Sequence, residues 1–167
     1  MQKVKSIILH SSDSPFGNAL MIDKWHRERW NTGIGYSLVI PNGYPTKKNI
    51  EELNYIPFLD GSVEVGRVND FNEWIEQNEV GAHALGYNQD SLGICFILKK
   101  GVRELTKKQL RSGIEAVQTL LIKNRLEPTS VLGHYEINPK KTCPDFDVEK
   151  FRQMLILERE MLANTFY

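Results

Sequence analysis

The chain has 167 residues, 41% of them hydrophobic and 25% charged, a balance that suits one compact domain burying about two-thirds of its unfolded surface. Its 21 lysines and arginines are matched by 21 aspartates and glutamates, which removes any global electrostatic pull toward nucleic acid or an anionic bilayer, although a local basic patch is compatible with zero net charge. The N-terminus offers two lysines and then only three consecutive apolar residues, short of the about 7–15 of a secretion signal, and no later run nears the about 18–20 needed to span a membrane. A product made in the cytosol is expected, with any export supplied by other proteins.

In chain order, residues 5–9 read as a buried strand that ends at His10. Residues 19–30 have helical spacing, with Leu20 or Met21 and Trp25 on one face. Residues 34–40 form a second predicted strand, in which Tyr36 and Leu38 share a side. The stretch 42–59 is punctuated by Asn42-Gly43 and two prolines, with a short helical turn expected over 47–53. Asp60-Gly61 then reads as a hairpin turn into 63–67. A short helix is predicted over 71–77 and a central strand over 91–99. Two longer helices follow. Over 106–124, Leu110, Ile114, Val117 and Leu121 recur at intervals of four, three and four. Over 147–162, Val148, Phe151, Leu155 and Leu162 form a similar stripe behind the candidate N-cap Asp147. Strands interleaved with helices imply an α/β fold, a central mixed β-sheet flanked by helices. No repeat, low-complexity tract or linker divides residues 1–167, so a single domain is expected.

The residues with chemistry to offer are His10, His134 and Cys143. His10 closes an apolar strand and is followed by Ser11-Ser12-Asp13-Ser14; in α/β sheets, strand ends are where side chains leave the core and face a crevice. His134 follows Val131-Leu132-Gly133, and Cys143 lies nine positions later in Lys141-Thr142-Cys143-Pro144. Three nitrogen or sulfur donors with one open position describe a catalytic zinc site. A fourth protein ligand, for which Asp145 is the nearest candidate, would instead make a structural one. Spacing alone leaves other readings open. Taken alone, each histidine is more often a satisfied polar residue near a strand end, and Cys143 more often an inert thiol; no His-Glu-x-x-His motif is present. Cys95 sits in an apolar strand and reads as a core thiol. A Cys95–Cys143 disulfide would consume the third donor, but a reducing cytosol favours free thiols, and a redox pair would lack the Cys-x-x-Cys spacing.

The ordered motifs Ile-Ile-Leu-His, Ile-Gly-Tyr-Ser-Leu-Val-Ile, Val-Gly-Ala-His-Ala-Leu-Gly-Tyr-Asn, Ser-Leu-Gly-Ile-Cys, Gly-His-Tyr-Glu and Lys-Thr-Cys-Pro resemble those of the type 2 N-acetylmuramoyl-L-alanine amidases. That family takes in short phage lysozyme-like amidases and the peptidoglycan recognition proteins, and the likeness runs from Ile7 to Phe151. It implies the fold of that family and zinc-dependent hydrolysis of the amide between N-acetylmuramic acid and L-alanine. It places His10, His134 and Cys143 at the Zn2+ ligand positions, Tyr36 and Lys141 at the catalytic ones, and His83 in a substrate-contacting loop. His26, inside the first helix, is read as structural. By its implied role Lys141 holds the developing oxyanion as a point charge, and Tyr36 bonds the attacking water or the tetrahedral intermediate and assists proton transfer. Without the resemblance, Lys141 reads as a solvated lysine and Tyr36 as a packed strand tyrosine.

Two departures from the family stand out. Some bacterial relatives carry a glutamate in the strand that here reads Gly93-Ile94-Cys95-Phe96-Ile97, so general-base help from that position is missing. The segment from Ile40 to Asp60 replaces a tight hairpin, either as a surface insertion or as a wall of the substrate groove. The resulting expectation is a monomeric lytic amidase, a phage or prophage endolysin, cytoplasmic as synthesised and acting on peptidoglycan after release. It would need no nucleic-acid partner and no membrane segment. A recycling amidase for cytosolic muropeptides and a peptidoglycan-binding module without hydrolysis are the alternatives; the latter class typically lacks the ligand cysteine, which this chain retains.

Overall fold

The computed structural model describes residues 1–165. The chain runs β1 (Gln2–Lys3), β2 (Ser6–Ser11), α1 (Ala19–Trp30), β3 (Leu38–Ile40), α2 (Lys47–Glu51), β4 (Glu64–Val65), β5 (Trp74–Ile75), β6 (Ser91–Phe96), α3 (Lys107–Asn124), β7 (Val131–Gly133), α4 (His134–Ile137) and α5 (Val148–Thr165). Five strands form a mixed sheet in the order β4-β3-β6-β2-β7. All its pairings are parallel except that of β3 with β4. β6 and β2 occupy the middle and are buried along their whole length, which is why they read in sequence as apolar runs with little alternation.

The two-residue period of a strand sorts the sheet into two faces. Ile7 and Leu9 of β2, Leu38 and Ile40 of β3, and Leu92, Ile94 and Phe96 of β6 pack with Ile114, Val117 and Leu121 of α3 and with Phe151 and Leu155 of α5. On the other face, Val39, Cys95 and Ile97 pack with Ile22 of α1 and Ile34, with Trp25 and Tyr36 against them. The sheet is therefore covered by helices on both sides, and His10 falls on the α1 side because Leu9 faces α3 and α5.

Local signals explain the helix ends. Asn18 caps α1 by accepting from Met21 N–H, and the helix stops where Asn31 turns left-handed. Thr106 and Gln109 form a reciprocal capping box at the start of α3. Asp147 accepts from Lys150 N–H at 2.9 Å, the capping role expected of it before α5. None of the helices among the described residues is long and apolar enough to cross a membrane.

Several local expectations change. The stretch 71–77 is not a helix but contains β5, which pairs antiparallel with β1 at Gln2↔Ile75. The side chains of Asn69, Asp70 and Asn72 each capture the backbone N–H two residues on, a local arrangement that competes with helix formation. On α1 the buried positions are Ile22 and His26, and Leu20 is 78% exposed. The second strand begins only at Leu38. Tyr36 lies ahead of it and packs on the α1 side, opposite to Leu38.

Candidate metal centre

Strand register brings the two histidines together. β2 and β7 pair through Leu9↔Gly133, so His10 and His134 are the next residues out at the C-terminal ends of neighbouring parallel strands. Their ring centroids are 4.7 Å apart. Cys143 arrives from the loop between α4 and α5. Tyr135 N–H donates to the Cys143 carbonyl at 2.9 Å, and Ser11 N–H donates to Cys143 Sγ at 3.1 Å. The sulfur lies 3.7 Å from His10 Nδ1. One donor atom from each of His10, His134 and Cys143 lies within 4.8 Å of the others.

Electrostatics suits these donors to a cation. Burial pushes the His10 imidazole well below its usual range, and His83, His134 and Lys141 push the same way. Burial also lowers His134, with Lys141 adding to the effect. Both rings are held neutral, the form that offers a lone pair to a metal. Burial pushes the Cys143 thiol up, opposed by its hydrogen bonds from Ser11. Two imidazoles and a thiol that can yield its proton are the donor set of a zinc site with one coordination position left to solvent or substrate, and a bound divalent ion is the partner that makes the thiolate favourable. The residues present fit that ion. Asp145, the candidate fourth ligand, stands outside this group and instead accepts from the Ser11 hydroxyl at 3.0 Å.

A groove of about 660 Å³ surrounds the cluster, and all six residues singled out in the sequence line it: His10, Tyr36, His83, His134, Lys141 and Cys143. The Tyr36 ring sits 5.0 Å from that of His10. Burial pushes its phenol well above the usual range, with Cys95 and Cys143 acting in the same direction, so the hydroxyl stays protonated. Lys141 is exposed on the groove wall, its backbone N–H held by Asn138 O at 2.9 Å. Both cysteines are free. No carboxylate comes from β6, whose side chain next to His10 in register is Cys95.

His26 fits its structural reading, since its Nδ1 accepts from Gly35 N–H at 3.1 Å. His83 sits deeper than a simple substrate contact requires. Its Nδ1 is 3.1 Å from His10 Nε2, and its Nε2 faces Ser91. Burial pushes its imidazole down to about 4. A close backbone approach sets this loop: a side chain on Gly35 would strike the Ala82 backbone, and one on Gly81 would strike Gly35. Sequence reasoning missed Ser11, whose amide and hydroxyl tie Cys143 and Asp145 to β2. The polar run after His10 was the available signal. It also missed Ser91 and Gly93 beneath His83, for which a glycine inside an apolar strand was the only hint. No residue of the 41–59 segment lines the groove.

Comparison with known proteins adds a separate line of observation. The family described as N-acetylmuramoyl-L-alanine amidase matches residues 1–146. The endolysin of Escherichia phage T7 is 30% identical over 135 residues, covering 78% of this chain and 71% of that protein. The endolysin of Klebsiella phage KP32 is 29% identical over 137 residues, with the same coverage. Among solved structures, the endolysin amidase LysCS from Clostridium intestinale superposes with a TM-score of 0.69 at 23% identity, covering 92% of this chain and 84% of that one. Wild-type Drosophila PGRP-LB gives a TM-score of 0.62 at 24% identity, covering 86% and 76%. At these identities the two superpositions speak for the fold, a mixed sheet flanked by helices.

Proposed function

This chain belongs to the N-acetylmuramoyl-L-alanine amidase family, and from that premise we propose that it hydrolyses the amide between N-acetylmuramic acid and L-alanine in peptidoglycan with a zinc ion held by His10, His134 and Cys143. The observation that carries the proposal is the convergence of three donors, from a strand end, a helix start and a distant loop, on the floor of one open groove. When bound, the ion supplies Lewis acidity to the scissile carbonyl and lowers the pKa of water toward about 7.

The chain's own residues supply the rest. The Lys141 ammonium, on the groove wall, provides a point charge for the oxyanion that develops as the carbonyl is attacked. The Tyr36 phenol, held protonated by burial and lining the same groove, is the hydrogen-bond donor available to that region. Because β6 offers no carboxylate there, these two residues carry the acid–base and electrostatic work that remains. Trp25 and Trp30, also on the groove, offer apolar faces to a saccharide or peptide.

The similarity to phage endolysins supports polymeric cell wall as the substrate, reached after synthesis inside the cell. The family match over 1–146 and the packing of Phe151 and Leu155 of α5 into the same core support residues 1–167 acting as one amidase domain.

The test is digestion of purified peptidoglycan with and without a chelator. New L-alanine amino termini without new reducing sugar ends are expected, with activity lost on chelation and restored by Zn2+. Release of reducing ends would assign a glycosidase instead, and full activity after exhaustive chelation would sink the metal reading.

A further inference from the structure

The hydrogen bonds around His83 settle where its proton sits. Its Nε2 lies 3.3 Å from the Ser91 carbonyl oxygen and 3.4 Å from Ser91 Oγ. The carbonyl can only accept. The Ser91 hydroxyl donates its single hydrogen to Tyr87 O at 2.6 Å, so toward His83 it too presents a lone pair. With two acceptors facing it, Nε2 carries the hydrogen. A neutral imidazole protonated there has its lone pair on Nδ1, and that atom is 3.1 Å from His10 Nε2. The contact is a hydrogen bond only if His10 Nε2 is the donor. His10 then has its own lone pair on Nδ1, the nitrogen that lies 3.7 Å from Cys143 Sγ.

The His83 ring is held in this pose from several sides. Asn88 Oδ1 accepts from the backbone N–H of both His83, at 3.0 Å, and Ala84, at 2.7 Å. The ring lies on the bare backbone of Gly93: a Cβ there would come within 2.8 Å of both Cγ and Nδ1 of His83. The two imidazole planes are nearly perpendicular, at 87°, and meet through His10 Nε2 and His83 Nδ1.

We propose that His83 is a positioning residue, which fixes the tautomer and orientation of His10 through a Ser91–His83–His10 chain and thereby sets how tightly the centre binds its ion. Metal-ligating histidines commonly send their outer N–H to a carboxylate, carbonyl or water. Here a second imidazole takes that place and relays the direction of a backbone carbonyl to the ligand. Gly93 is part of the device, because it leaves room for the ring. This inference rests on the metal reading of the site, and one arm of its test is independent of metal.

That arm is long-range 1H–15N NMR of the metal-free protein at neutral pH. His10 and His83 are both expected as Nε2–H tautomers in the wild type. The second arm is Zn2+ affinity by competition with a chromophoric chelator. His83→Ala is expected to lose about 10–100-fold in affinity and to leave His10 in a mixture of tautomers. His83→Asn places an amide oxygen where Nδ1 stood, and should recover most of the affinity and the Nε2–H form. Gly93→Ala, which leaves both imidazoles in place as residues, should reproduce the loss by displacing His83. Wild-type affinity in His83→Ala with an unchanged His10 tautomer would overturn the proposal. So would an Nδ1–H tautomer at His10 in the metal-free wild type. Should the wild type bind no Zn2+, the metal reading fails by itself, and the proposed control of metal affinity falls with it.

Discussion

The groove end of the sheet and the connection between β3 and β4 solve the same problem, satisfying polar groups outside the core, in opposite ways. In the groove, partners come from far apart in the chain: Ser11 with Cys143 and Asp145, His10 with His83. In the connection, most partners are a few residues away. Thr46 caps Asn49, Asn49 reaches Asn54 O, Tyr55 donates to Asp60, and Ser62 donates to Leu59 O. Its anchors to the rest of the fold include Thr106 Oγ1 donating to Asp60, and Asn42 donating to Pro15 O. A segment that satisfies itself locally can be added to a fold without rearranging it. A site built from long-range contacts has no such freedom, because each donor is placed by a different element.

The two regions should therefore respond differently to substitution. The largest effect is expected at the donors. Cys143→Ser and His134→Ala should each lose bound Zn2+, measured by atomic absorption, together with peptidoglycan turnover. A variant that kept both would remove that residue from the centre. Next comes Lys141→Ala, which should retain the metal and lose about 10²–10³-fold in kcat if the ammonium holds the oxyanion. Unchanged kcat with raised KM would move Lys141 from transition-state stabilisation to substrate binding.

In the connection, Asp60→Ala removes the acceptor shared by Tyr55 and Thr106 at a position only 8% exposed. Denaturant midpoints should report a loss of about 1–3 kcal/mol, with kcat/KM unchanged. A parallel fall in kcat/KM would show that this segment does shape the groove. The smallest effect is a pH dependence. The hydrogen bond to Asp60 pushes the Tyr55 phenol from 10.0 to about 12, so the folded state favours the protonated form. Its contribution is complete below the unfolded value near 10 and is lost as pH rises toward 12. Replacing Tyr55 by Phe should remove that part of the alkaline slope, and an unaltered slope would show the bond adds nothing. The 38% exposure of Tyr55 keeps the effect small.

Much of this fold was legible because burial leaves a periodic trace. The stripe Leu110, Ile114, Val117, Leu121 marks α3, and the apolar run after Lys5 marks β2, since each pattern records which side chains must leave water. The stretch 71–77 misled for the same reason in reverse. Its apolar residues are few, its Asn and Asp side chains bind their own backbone, and its strand exists only because Gln2 and Lys3 come to pair with it. Tyr36 was placed on the wrong face relative to Leu38 because regular alternation was assumed across 34–40, where pairing with β6 begins only at Leu38.

The six site residues were nominated by ordered motifs rather than by spacing, as His10 and Cys143 are separated by 133 positions. No local pattern relates residues so distant. Sequence by itself determined the long helices, the two central strands and which residue types were available for metal chemistry, because these follow from side-chain identity and short-range periodicity. Tertiary structure alone decided that His10 and His134 stand side by side, that Asp145 turns to Ser11, and that His83 addresses His10. Those outcomes depend on parallel register and loop docking, and hydrogen-bond directions exist only once distant groups are brought within about 3 Å of one another.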